Sequence, residues 1–249
     1  MELKQASVLL VEDEPVLREI MGAWLERVAG KVFCAADGSE AAEVLAANRI
    51  DLAFSDVRMP VMDGVELLNR INAAATTHRP CMIFITGFSD LKLRDAYDMG
   101  VDAILEKPIK REEMMQLAKT SVATAEELWR QPPGATPEMK LKASFESLAG
   151  ALGERRIGFG RRGFCIETAH GLQEGPVEFA VEFRADHVVL LGQGVVRWLA
   201  PEEGMAGIEI TSLDDAGRAW MIEHLARSRP LAFIPRAPGV DRMKQTKTA

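Results

Sequence analysis

Four short apolar runs mark the first 125 residues, and polar residues of a particular kind follow each one. The runs are Ser7-Val8-Leu9-Leu10-Val11, Asp51-Leu52-Ala53-Phe54-Ser55, Cys81-Met82-Ile83-Phe84-Ile85 and Asp102-Ala103-Ile104-Leu105, closed by Glu12-Asp13, Asp56, Thr86 and Lys107. Runs of this length predict strands buried on both faces of a parallel sheet. Lys31 to Ala35 predicts a further strand. Helical patterns lie between them. Pro15 suits a first-turn position, and Leu17, Ile20, Met21, Trp24, Leu25 and Val28 share one face. Asp37 to Ala47 predicts an alanine-rich second helix, and Val65, Leu68 and Ile71 mark a third. Ser89 or Asp90 caps a fourth that ends at Gly100. The fifth starts near Lys110, with Met114, Leu117, Ala118, Ser121, Val122, Ala125 and Leu128 at helical spacing. It is predicted to run to Trp129, about 30 Å. Five alternating units argue for a doubly wound, five-stranded parallel α/β sheet over residues 1–125.

Gln131-Pro132-Pro133-Gly134 stops that helix and places a linker at 126–136. Thr136-Pro137 predicts a new helix, with Leu141, Phe145, Leu148 and Leu152 as its stripe and Gly153 at its close. The period then changes to two. Phe164-Cys165-Ile166, Val177 to Phe183, Val188 to Leu191, Val195 to Leu199 and Ile208-Glu209-Ile210 predict short strands. A last helix is expected from Asp214 to Arg227, with Trp220, Met221 and Leu225 among its apolar positions. Residues 137–236 therefore predict a second, mainly β domain with flanking helices. The polar tail 237–249 is expected to be disordered.

Bulk composition narrows the class without choosing a function. With 249 residues, 47% hydrophobic and 27% charged, the chain suits two soluble domains. No apolar run approaches the roughly 18 residues of a membrane span. The N-terminus lacks a signal-peptide profile, and Cys34, Cys81 and Cys165 are odd in number and widely spaced. Neither a disulfide framework nor a zinc motif is supported, so a reducing cytoplasm is expected. Residues 1–125 carry 14 Lys+Arg against 20 Asp+Glu, net −6, and the rest carry 16 against 17, net −1. Neither half has the basic surplus of a nucleic-acid binder.

The strand ends carry the candidate chemistry. In a parallel sheet the carboxyl ends of the strands lie together, and ligands bind in the crevice beyond them. Glu12, Asp13, Asp56, Thr86 and Lys107 are thus expected at one edge. Several carboxylates in one crevice repel unless protons or a cation compensate. A hard divalent ion such as Mg²⁺ fits that need. Phosphorylating a carboxylate requires an exposed nucleophile, a cation and donors for the transferred oxygens. Asp56, just past the central strand, suits the nucleophile. Lys107 offers a fixed positive charge and Thr86 a hydroxyl. Any one of these alone would be an ordinary strand-end residue; together they suit aspartyl-phosphate chemistry.

At these positions the chain resembles the receiver domains of two-component response regulators. The matching stretches are Val8-Leu9-Leu10-Val11-Glu12-Asp13-Glu14, Asp56-Val57-Arg58-Met59-Pro60-Val61-Met62-Asp63-Gly64, Thr86-Gly87 and Lys107-Pro108. The resemblance implies a flavodoxin-like strand order and phosphorylation on Asp56. It also implies Mg²⁺ held by Asp13, Asp56 and the Arg58 backbone carbonyl, with Glu12 assisting through water. A cis Lys107-Pro108 peptide is frequent in this family. By the same analogy Arg58 and Phe88 flank the water's route and set the phosphate lifetime. One departure stands out: Ile104 occupies the position, three residues before the lysine, where receivers usually carry Tyr or Phe. Tyr97, on the preceding helix, is expected to pack at the surface.

Gly158-Phe159-Gly160-Arg161-Arg162-Gly163 matches Gly-x-Gly-x-x-Gly, but a strand-like segment follows it instead of a helix, which rejects a dinucleotide site. His170, His187 and His224 lack ligand spacing. From Gly163 onward the chain resembles PilZ domains, small β-barrels best known as cyclic di-GMP receptors. The similar elements are Gly163-Phe164-Cys165-Ile166-Glu167-Thr168, Leu172 with Gly175, Gly194-Val195-Val196-Arg197-Trp198 and Met205-Ala206-Gly207-Ile208-Glu209-Ile210 before a closing helix. Nucleotide-binding members carry Asp or Asn, then Ser, where this chain has Gly158 and Gly160. The upstream arginine pair is missing, and Lys140 and Lys142 are the nearest basic residues. Arg155, Arg156, Arg161 and Arg162 form a basic cluster that suits phosphates. A solvated, flexible loop or a contact to the acidic half is the favoured reading.

These features predict a response regulator: a receiver joined to a PilZ-like output domain that acts by protein contacts, with cyclic di-GMP disfavoured. A sensor histidine kinase or phosphotransfer protein would donate to Asp56. Phosphate adds about −1.5 to −2 charges, expected to draw Lys107 and Thr86 inward and re-form the surface of the fourth and fifth helices. The fifth helix is expected to carry that change to the output domain or to form a dimer. The rival is a receptor integrating phosphorylation with cyclic di-GMP. An enzyme acting on an external substrate finds little support, because the second half shows no paired carboxylates or nucleophile-base set. A transcription factor is disfavoured, because it shows no helix-turn-helix.

Overall fold

The computed structural model describes residues 2–74, 78–87, 92–130, 137–167 and 172–236. The expected caps Ser89 and Asp90, Phe88, His170, the proline-rich stretch 131–136 and the tail from 237 lie outside the described residues. The chain divides into two units, Met1–Thr124 and Ala125–Ala249.

In the first unit, five strands alternate with five helices: β1 (Ser7–Val11), α1 (Pro15–Glu26), β2 (Lys31–Ala35), α2 (Gly38–Ala47), β3 (Leu52–Asp56), α3 (Gly64–Ala73), β4 (Cys81–Thr86), α4 (Leu93–Met99), β5 (Ala103–Glu106) and α5 (Arg111–Ser121). All pairings are parallel, in the order β2-β1-β3-β4-β5, the flavodoxin-like arrangement. The apolar runs are continuous because each strand feeds two cores. Val8, Leu10, Phe54, Ile83 and Ile85 face Met21 and Leu25 of α1 and Met114 of α5. Leu9, Val11, Ala53, Met82 and Phe84 face Ala41 of α2, Leu67 and Leu68 of α3 and Ala96 of α4. Successive residues point to opposite faces, so covering both faces requires apolar residues at every position.

Local signals set the helix starts. Asp37 accepts from the N–H groups of Ser39 and Glu40. Asp63 and Glu66 form a reciprocal capping box at 2.7 and 3.1 Å. Gly100 ends α4 in the left-handed region, φ 101°.

Several expectations are corrected here. On α1, Ile20 is 44% exposed and not on the buried face, because Met21 and Leu25 fill the contact with the sheet. Tyr97 is buried, not at the surface. Helix α5 ends at Ser121; Ala125–Trp129 is a separate short helix, α6, whose Trp129 is fully buried and donates its indole N–H to the Ile210 carbonyl at 3.0 Å. Burying that ring in the second unit outweighs continuing one helical stripe. Leu128 and Trp129, within the expected linker, therefore pack in the second core.

The second unit continues with β6 (Met139–Phe145), α7 (Leu148–Gly153), β7 (Ile157–Phe159), β8 (Gly163–Glu167), β9 (Gly175–Phe183), β10 (Val188–Ala200), β11 (Met205–Leu213) and α8 (Asp215–Ser228). The helix expected through 139–145 is instead strand β6, pairing parallel with β9. Leu141 and Phe145 face inward while Lys140 and Lys142 face out, and their spacing of four residues satisfies both a period of two and a helical turn. The two strands expected at 188–191 and 195–199 are one, β10, with register shifts at Gln193/Gly194 and Val196/Trp198. Gly192 permits it: a Cβ there would sit 2.2 Å from the Ser212 carbonyl oxygen.

The sheet order is β6-β9-β10-β11-β8-β7. Phe145 of β6 stacks on Phe183 of β9 at 5.8 Å, and Phe159 of the opposite edge strand β7 reaches Phe183 at 6.4 Å. Elements at the two ends of the sheet thus share one aromatic core, so the sheet is curled.

Candidate functional site

Three strand ends of the first unit deliver one cluster. Carboxylate oxygens of Glu12, Asp13 and Asp56 lie within 4.8 Å of one another. Glu12 and Asp56 are 1% and 5% exposed, while Asp13 faces solvent. Lys107, from the end of β5, hydrogen-bonds Asp56 Oδ2 and forms an ion pair with Glu12 Oε2 at 3.5 Å. The Lys107-Pro108 peptide is cis. Arg58 donates its backbone N–H to Asp56 Oδ1 at 3.1 Å. Thr86 is buried at the end of β4, one residue past Ile85, the register partner of Asp56. Its hydroxyl donates to the Gly87 carbonyl at 2.9 Å.

The loop after Asp56 is tightly held. The Gly64 N–H donates to the Val57 carbonyl at 3.1 Å, and Ser55 Oγ donates to the Asp56 carbonyl at 2.9 Å. A Cβ on Gly64 would stand 2.4 Å from the Asp56 carbonyl oxygen, so only glycine lets α3 begin beneath that residue.

The charge balance is negative. Burial, then the neighbouring Asp56 charge, pushes the Glu12 carboxyl above its ordinary pKa, and Lys107 only partly offsets this. Burial opposes the Lys107 charge, but its hydrogen bond to Asp56 and the charges of Asp56 and Glu12 win and raise its pKa. Glu12 Oε2 is buried without a hydrogen-bond partner, and its nearest cation, Lys107, stands 3.5 Å away. A buried anionic oxygen lacking a donor, beside two more carboxylates, fits a hard divalent cation.

Sequence reasoning missed two residues here. Gly64 was placed within a motif but given no structural task. Arg18 of α1 donates to the Glu12 carbonyl at 2.5 Å and to the Asp13 carbonyl at 3.2 Å. No linear signal marks it, because its partners are backbone atoms in a bend of the chain.

The second unit holds no comparable cluster among the described residues. Gly158 lies in β7 and Gly163 opens β8, a strand-to-strand hairpin. The arginine stretch is not a flexible loop. The backbone N–H groups of Arg161 and Arg162 donate to Ala232 and Phe233, and Arg161 Nε donates to the Leu231 carbonyl. Arg156 pairs with Glu167 and lies over the Phe145 ring at 4.9 Å. Lys140 faces Glu178 at 3.2 Å, an ion pair without hydrogen-bond geometry. His187 sits in a turn, and His224 stacks on Trp220 at 4.9 Å.

Residues 8–119 match the response regulator receiver domain family. The N-terminal unit is a receiver domain. The transcriptional regulatory protein CrdR of Helicobacter pylori is 36% identical over 111 residues, covering 44% of this chain and 52% of that protein. A cyclic di-GMP phosphodiesterase of Thermotoga maritima is 32% identical over 108 residues, covering 43% of this chain and 28% of that one. The chain spans about half, or less, of these curated relatives. Among solved structures, the receiver domain of a sensor histidine kinase from Pseudomonas aeruginosa, with magnesium coordinated in its active-site cleft, shares 30% identity. That match covers 47% of this chain and 98% of that one, with a TM-score of 0.43. Receiver domains bind Mg²⁺ through an acidic pocket and interact with histidine kinases or phosphotransfer proteins. No helix among the described residues is long and apolar enough to cross a membrane.

Proposed function

We propose that this protein is a response regulator phosphorylated on Asp56, and that its second unit is a PilZ-like output domain working by protein contacts. The observation that carries the first part is the contact of Lys107 with Asp56 amid three converging carboxylates. Glu12, Asp13, Asp56 and the Arg58 carbonyl would hold Mg²⁺, which when bound neutralises charge between the carboxylate and the incoming phosphoryl group. Asp56 supplies the attacking oxygen, and Lys107 turns from the free carboxylate to the phosphoryl oxygens. Thr86, now donating to Gly87, is placed to redirect its hydroxyl toward the same oxygens. Ile104 is half-buried on β5 and has no ring to swing, so the signal runs through Lys107, Thr86 and the helix that follows. The chain's own chemistry ends with gain and loss of this phosphoryl group; no external substrate is turned over.

What supports the PilZ-like reading is the curled, mainly antiparallel sheet closed by α8. What favours protein contacts over a nucleotide is the hairpin. Gly158 and Gly160 replace side chains that would grip a nucleotide, and neighbouring arginines are tied to Glu167 and to the 231–233 backbone.

Incubating the full chain with acetyl phosphate and Mg²⁺ tests the first part, and cyclic di-GMP calorimetry the second. Intact-mass spectrometry should show one added phosphoryl group in the wild type and none in Asp56→Asn. Calorimetry with cyclic di-GMP should give no heat of binding. A labelled Asp56→Asn protein would refute the acceptor, and saturable nucleotide binding would replace protein contacts with the receptor reading.

A further inference from the structure

Glu12 and Asp13 are consecutive, yet both carboxylates reach one crevice. In extended chain, neighbouring side chains point to opposite faces. The backbone must therefore leave strand geometry between them. The Glu12 N–H still joins the ladder, donating to the Ala35 carbonyl at 3.2 Å, so the departure begins at Glu12 itself. Both carbonyls released by that bend are taken by one guanidinium, Arg18 Nη1, at 2.5 and 3.2 Å.

We propose that Arg18 is a positioning residue for the acidic site: by holding the Glu12 and Asp13 carbonyls it turns both carboxylates toward one divalent cation. The proposal rests on the reading of the site as an Mg²⁺-dependent phosphoacceptor. A guanidinium stays charged at any ordinary pH and is a rigid, planar donor, so it sets two peptide planes where a lysine would hold one oxygen loosely. It comes from α1, whose Met21 and Leu25 are fully buried against the sheet, so the donor stands on a fixed support.

Two effects of removing Arg18 have opposite signs. As a positive charge near a cation site it opposes Mg²⁺, and its loss would tighten binding. As the clamp on the loop it pre-forms the ligand set, and its loss weakens binding. Groups that orient metal ligands typically account for about 10–100-fold in metal affinity, so positioning wins.

The test is Mg²⁺ titration of the full chain by calorimetry, with amide NMR shifts of Glu12 to Glu14 and circular dichroism as a check on folding. Arg18→Ala should bind Mg²⁺ about tenfold more weakly, with shifted loop amides before metal is added. Arg18→Lys should fall between it and the wild type. Acetyl phosphate labelling of Arg18→Ala should recover at saturating Mg²⁺. Unchanged or tighter binding in a folded Arg18→Ala protein overturns the proposal. Should that variant not fold, wild-type affinity in Arg18→Lys overturns it equally. A wild type that neither binds Mg²⁺ nor takes the phosphoryl group overturns the underlying reading instead.

Discussion

Charge is handled in opposite ways in the two units. In the receiver crevice, Glu12 and Asp56 are buried, Asp13 adds a third carboxylate, and one lysine serves the first two. In the second unit, arginines meet carboxylates at the surface: Arg184 with Glu146, Arg156 with Glu167, Arg227 with Glu223. The first arrangement keeps a surplus of buried negative charge that a cation or an incoming group must relieve. The second is already balanced and solvated, where such pairs contribute roughly 0–1 kcal/mol. Uncompensated burial sets the crevice apart; paired exposure marks a surface.

Mutations should separate the two. The largest stability effect belongs to the second unit's aromatic core, where Phe183 touches Phe145, Phe159 and Trp220. Phe183→Ala should cost about 3–5 kcal/mol in urea unfolding followed by tryptophan fluorescence, while acetyl phosphate labelling of Asp56 persists. Lost labelling would mean that the receiver depends on that core.

The next effect is in the crevice and depends on pH. Glu12 has a raised folded pKa, so the fold binds its proton more tightly than the unfolded chain does. Its contribution to stability is fully present below the unfolded glutamate value and is lost as pH rises through the folded one. Metal-free wild type should therefore lose stability as pH rises from the unfolded glutamate value through the folded one, and Glu12→Gln should flatten the curve. A variant with the wild-type slope would show that the buried carboxyl is compensated after all. Lys107 follows the same rule at the alkaline end: its raised pKa keeps its contribution until pH passes above the ordinary lysine value.

The smallest effect is at the surface of the second unit. Arg184→Ala removes an exposed pair with Glu146 and should cost less than about 1 kcal/mol, less still at high salt. A larger loss would show that this pair is not merely a solvated contact.

Much of the receiver was legible because its signals are local or repeat with the strands. Buried parallel strands need apolar residues on both faces, and polar residues must then appear where each strand leaves the sheet. That placed Glu12, Asp13, Asp56, Thr86 and Lys107 at one edge before any coordinates. The second unit was harder. Leu141 and Phe145 obey two periods at once, and only pairing of β6 with β9 chooses between them. Ala125 and Leu128 continue the α5 stripe, yet Trp129 is claimed by a different core. The four arginines looked mobile in a glycine-rich stretch, but the backbone of 231–233 ties the hairpin down.

From the order of residues alone come the strands of the first unit and the polar residues at their ends, because each depends on neighbours within a few positions. Three features depend on the folded chain: Tyr97 turned inward, the curl that joins Phe159 to Phe183, and Arg18 closing on the Glu12 and Asp13 carbonyls. Contacts of that kind depend on which surfaces compete for the same burial and on where backbone carbonyls point. No spacing of side-chain types encodes either.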